Sequence, residues 1–163
     1  MPTLASIFLN LPDQKKKAVH IDLCKQALQI WNDHCDSPKS LGYVETVCGT
    51  KQVVDRDLPT AAFRAVIAGS DSENVAYRYQ EPIAAMQDDD LRFPDDIELA
   101  YYAIYNLFRR YVSSRIDDDW LIVNQALSAH GEGSDYASIL EAAISHTGEQ
   151  IGGADPRTSG GTP

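Results

Sequence analysis

Basic residues are scarce in the second half of this chain. After Gln80 only five Lys or Arg stand against fifteen Asp or Glu, whereas residues 1–80 hold nine of each sign, so the net charge of −10 belongs entirely to the later half. Direct nucleic-acid binding is therefore disfavoured, because it depends on Lys and Arg neutralising phosphates. Long apolar runs are missing too, and none approaches the roughly 18 residues a membrane-spanning helix needs. The three cysteines, Cys24, Cys35 and Cys48, are an odd number without paired spacing, which argues against a disulfide framework and for reduced thiols. The N-terminus has neither the basic region nor the small-residue cleavage site of an export signal, so a cytoplasmic location is expected. There is no G-x-S-x-G elbow, and the glycine-rich stretch from Gly148 onward precedes no helix able to hold a phosphate. No repeat of the solenoid kind is visible.

What remains is the composition of an ordinary globular protein, 44% apolar and 23% charged, in a chain of 163 residues, long enough for one core. Helical signals dominate it. Pro12 and Asp13 open a segment to about Asp33 in which Val19, Leu23, Ala27, Ile30 and Trp31 recur at spacings of three and four. Residues 43–54 stay ambiguous between a β-branched strand and a short irregular helix. Asp57-Leu58-Pro59 predicts a helix start and Gly69 its end. Ser72 is positioned to cap a further helix carrying Val75, Tyr79, Ile83 and Met86, kinked or split by Pro82. Pro94 at N1 introduces a central helix with Ile97, Tyr101, Ile104, Phe108 and Tyr111 inward, and Asp117 and Ser134 are expected caps for two more. The fold expected is all-α: a single-domain bundle of five to seven helices over residues 1–147, then a disordered C-terminal tail over residues 148–163.

The acids are clustered as Asp88-Asp89-Asp90, Asp95-Asp96 with Glu98, and Asp117-Asp118-Asp119, around the aromatic segment from Ile97 to Val112. At helix N-termini, capping and the dipole explain Asp95, Asp96 and the later triplet without any function. Asp88 to Asp90 differ, because they follow a predicted helix end, where negative charge is unfavourable. A solvated turn, a cationic partner and a divalent metal all remain open for them. Tyr102 and Tyr105 fall off the core stripe, so they are either buried on a second side of the helix or aromatic anchors beside the carboxylates. His20, Cys24, His34 and Cys35 match no zinc pattern and are read as core residues. No cofactor is expected.

The stretch Phe93-Pro94-Asp95-Asp96-Ile97-Glu98-Leu99-Ala100-Tyr101-Tyr102-Ala103-Ile104-Tyr105-Asn106-Leu107-Phe108, with Ala27-Leu28-Gln29-Ile30-Trp31, resembles the helical, acidic immunity proteins of bacterial polymorphic toxin systems. The resemblance implies a small cytoplasmic inhibitor that occludes the active site of a cognate toxin, and it carries over no site residue. Physical reasoning adds that a rigid scaffold bearing carboxylates can fill a basic, phosphate-handling cleft. The leading expectation is thus a non-enzymatic binding protein using Asp88, Asp89, Asp90, Asp95, Asp96 and Glu98, with Tyr102 and Tyr105 as anchors and Asp117, Asp118 and Asp119 on the same acidic surface. The rival is a small metal-dependent enzyme acting on a phosphorylated substrate, with Asp88 to Asp90 and Asp117 to Asp119 as ligands from two helix ends.

Overall fold

Amphipathic stripes and chain-stopping residues mark out the helices of the described residues. The computed structural model describes residues 2–37, 44–47, 50–53, 56–69 and 94–153. Within them the order is α1 (Leu4–Leu9), α2 (Asp13–Asp36), β1 (Val44–Val47), β2 (Thr50–Val53), α3 (Leu58–Ala68), α4 (Asp95–Tyr111), α5 (Asp119–Ser128) and α6 (Tyr136–Gly153). The expected helical bundle is present. The ambiguous stretch is a hairpin attached to it, antiparallel with Val44 opposite Val53 and Val47 opposite Thr50, in keeping with its β-branched content.

Helix α4 is the centre of the bundle and packs against α2, α3 and α5. Its inward face holds Ile97, Tyr101, Ile104, Leu107 and Phe108, all buried, while Ala100 and Ala103 keep that face low enough for α2 to approach. The approach is close: Cys24 Sγ lies 3.8 Å from the Ala103 carbonyl. On α2 the predicted stripe of Val19, Leu23, Ala27, Ile30 and Trp31 is buried at 0–1% exposure except for Ile30, which is half-buried at its margin, and each buried side chain contributes about 1.5–3 kcal/mol when large and apolar. Trp31 also closes the end of α2, because its indole N–H donates to the Arg56 carbonyl at 2.9 Å and its ring tilts against Tyr101 at 5.3 Å.

Several boundaries differ from expectation for local reasons. Helix α1 has no counterpart among the expected elements; Thr3 Oγ1 accepts the Ser6 N–H at 3.0 Å and Phe8 is fully buried. Pro94 is the N-cap of α4, one place before N1. Asp118, and not Asp117, caps α5 by accepting the Leu121 N–H at 2.9 Å. Asp135 takes the part expected of Ser134, accepting the Ser138 N–H at 3.1 Å. Helix α6 runs through Gly148, where the tail was expected to begin, and is described as far as Gly153. Residues 154–163, the helix expected from Ser72, and Asp88, Asp89 and Asp90 lie outside the described residues. Among the described residues no helix is long and apolar enough to cross a membrane.

Candidate functional site

A turn of about 100° per residue places Asp95, Glu98, Tyr102 and Tyr105 on one face of α4, flanking the core stripe. Asp95 is exposed, and the other three are half-buried at the margin of the core. The edge-on contact between Tyr102 and Tyr101, 6.3 Å between centroids, orients the Tyr102 ring. Burial, and after it the Glu98 charge, hold the Tyr102 phenol above its ordinary pKa, so it stays a protonated donor beside the carboxylate. The stripe ends where the Arg109 guanidinium sits 5.3 Å from the Tyr105 ring centre.

Asp96 points around the helix from this stripe. With Asp95 it forms one wall of an open cleft of about 470 Å³, whose other wall comes from Ser128, Glu132 and Tyr136 at the turn between α5 and α6. That turn is set by Gly131, whose φ of +90° a side chain would strain, and by the Tyr136 hydroxyl, which donates to the Gly131 carbonyl at 2.7 Å. Three carboxylates therefore face one space, with no Lys or Arg among the described residues of its lining. Glu132 and Tyr136 were not among the sequence candidates, since only the antiparallel return of α5 brings them to the start of α4. The Gly131-Glu132-Gly133 turn is the one sequence signal that points there.

The later acidic triplet does not join this surface. Asp119 binds Arg110 at the far end of α4, about 22 Å along the helix from Asp95 at 1.5 Å per residue. Its side chain is 12% exposed, with one oxygen 2.9 Å from Arg110 Nε and the other 3.7 Å from Lys16 Nζ. Asp118 is spent as a helix cap and Asp117 is exposed at the same end. The expectation of one surface is corrected accordingly: capping and ion pairing account for Asp118 and Asp119. Among the described residues no three His, Cys, Asp or Glu side chains are grouped so as to hold a metal ion.

The buried side of the Asp119 end is a polar knot. His20 is fully buried, with Nε2 2.8 Å from the Asp119 carbonyl and Nδ1 2.7 Å from the Tyr111 hydroxyl. A carbonyl can only accept, so Nε2 carries the proton and Tyr111 donates to Nδ1. Burial is the main cause that lowers the His20 pKa to about 4; the Asp119 carbonyl and carboxylate oppose it, and Arg110 and Lys16 reinforce it. Tyr111 is pushed up by burial and lies beneath Lys17 and Arg110, 5.3 and 4.9 Å from its ring centre. Cys24, the neighbour of His20 one turn on, is buried with its thiol pushed well above the ordinary value. The His20–Cys24 pair is thus core, as the sequence reading held.

Comparison with family models, with curated proteins and with solved structures returned no match for this chain.

Proposed function

We propose that this chain is a non-enzymatic binding protein, an immunity protein that neutralises a cognate bacterial toxin by seating an acidic face in the toxin's basic cleft. The observation that carries the reading is the cleft at the start of α4, which Asp95, Asp96 and Glu132 line with no Lys or Arg among its described residues. Beside it the stripe of Glu98, Tyr102 and Tyr105 supplies ring area and wet hydroxyls, the combination that anchors protein interfaces. The face rests on the best-packed helix of the bundle, so little ordering entropy is lost on binding. Asp88, Asp89 and Asp90 belong to the proposed patch by sequence; Asp117, Asp118 and Asp119 are removed from it.

The test uses the toxin domain encoded beside this chain's gene as the binding partner. Stopped-flow association should slow by roughly tenfold when Asp95, Asp96 and Glu132 are changed to Asn, Asn and Gln, with dissociation little altered, and added salt should reproduce the loss. Asp117→Asn should leave both rates unchanged. Equal effects at the two ends of α4, or an association rate indifferent to salt, would refute the proposal.

A further inference from the structure

Between α2 and α3 lies a second open space, a groove of about 520 Å³ far different in charge from the acidic cleft. Its walls share one spacing. Lys25, Leu28 and Asn32 on α2 stand at i, i+3 and i+7, and Thr60, Phe63 and Ile67 on α3 repeat it. Two ridges of that period, each about 11 Å or two turns long, form the seat into which a third helix packs. The floor is apolar. Leu28 and Phe63 are half-buried against the core, and Ile67 is 54% exposed, more than any other large apolar side chain of the described surface.

The charges of the groove are Lys25 and Arg64, with no carboxylate among the described residues of its lining. Both are exposed, and neither joins an ion pair among the described residues. Asp33, near the end of the α2 wall, is occupied by Gln29, whose side-chain N–H₂ donates to it at 2.7 Å. Local cations dominate here despite the overall charge of the chain, since screening confines each charge to about 8 Å at physiological salt.

We infer that this groove is a docking seat for an amphipathic helix of a partner protein, with an apolar stripe for Leu28, Phe63 and Ile67 and acidic flanks for Lys25 and Arg64. Among the described residues, helices α1 to α5 of a second copy do not match it. Helices α2 to α5 turn their apolar stripes into their own core, and α1, which exposes Ile7 and Leu9, contains no acidic residue. The groove shares no lining residue with the acidic cleft.

The probe is a pair of fluorescein-labelled helical peptides of roughly 18 residues, both with Leu at i, i+3, i+4 and i+7, one flanked by Glu and the other by Lys. Anisotropy titration of the full chain should give saturable binding of the Glu peptide and at least roughly tenfold weaker binding of the Lys peptide. The K25E/R64E double variant should exchange that preference, and I67D should abolish binding of both, a change an exposed position tolerates without unfolding. Absence of saturable binding, equal affinity for the two peptides, or binding that survives I67D would overturn the inference. So would a concentration-dependent dimer dissolved by I67D, which would assign the face to a second copy.

Discussion

Acid should weaken this protein through one imidazole. His20 has an ordinary pKa of 6.5 when the chain is unfolded and about 4 when folded, because burial disfavours its cation. Between those values the unfolded chain holds a proton that the native one does not. Stability is therefore complete above pH 6.5, falls as the pH drops toward 4, and below that loses nothing more from this residue. At about 1.36 kcal/mol per pH unit, the interval from 6.5 to 4 amounts to about 3 kcal/mol, a large share of the 5–15 kcal/mol typical of a domain. The geometry explains why the protein does not relieve the loss by protonating in place. Both ring nitrogens are already engaged, and Lys16, Arg110 and, across the Tyr111 ring, Lys17 surround the site, with Asp119 the opposing charge. The assay is urea unfolding followed by circular dichroism at several pH values from 7.5 to 4, for the native sequence and for H20Q, which can still accept and donate but cannot titrate. His130, also lowered by burial, contributes the same slope to both proteins and cancels in the difference. The stability difference between them should shrink by about 3 kcal/mol across the interval. Parallel curves, or a native His20 resonance titrating near 6.5, would refute the reasoning.

Three further outcomes follow from the same structure. Asp119→Asn breaks two ion pairs at a mostly buried position and should cost about 2 kcal/mol in urea unfolding, whereas Asp117→Asn should cost almost nothing; equal effects would contradict the assigned pairing. Gly69→Ala should lose about 1 kcal/mol although no atom lies within 4 Å of the added carbon, since the cost is in the backbone, held at φ +68° where α3 ends; a neutral result in thermal melts would refute that account. Cys24 should resist a thiol reagent in the native protein, labelling roughly a thousandfold more slowly than in urea by peptide mass mapping, because its thiolate is suppressed and its sulfur enclosed. Native-state labelling at the unfolded rate would mean that α2 and α4 do not pack as described.

The acidic half of the chain shows how far composition reaches and where it stops. Clusters Asp95-Asp96-Glu98 and Asp117-Asp118-Asp119 look alike in sequence, each opening a helix at one end of the aromatic segment. In space they are at opposite ends of α4, and one lines a cleft while the other is consumed by Leu121, Arg110 and Lys16. Arg110 lies only nine residues before Asp119, but Lys16 comes from a helix about a hundred residues earlier, and only packing brings it there.

Periodicity was sufficient to find α2, α3, α4 and α5, since an apolar residue every three or four positions can be buried on one side only by a helix; Gly69 ends α3 through its freedom to take a positive φ, and the fixed φ of Pro94 marks the start of α4. The helical class, the inward faces of α2 and α4 and the charge imbalance are thus written into the amino-acid order. The hairpin, the depth of His20, the neutralisation of Asp119 and the meeting of Asp95 with Glu132 were decided by which helices came to lie side by side. Burial, ion pairing and clefts are relations between segments distant along the chain, and only packing brings those segments within reach.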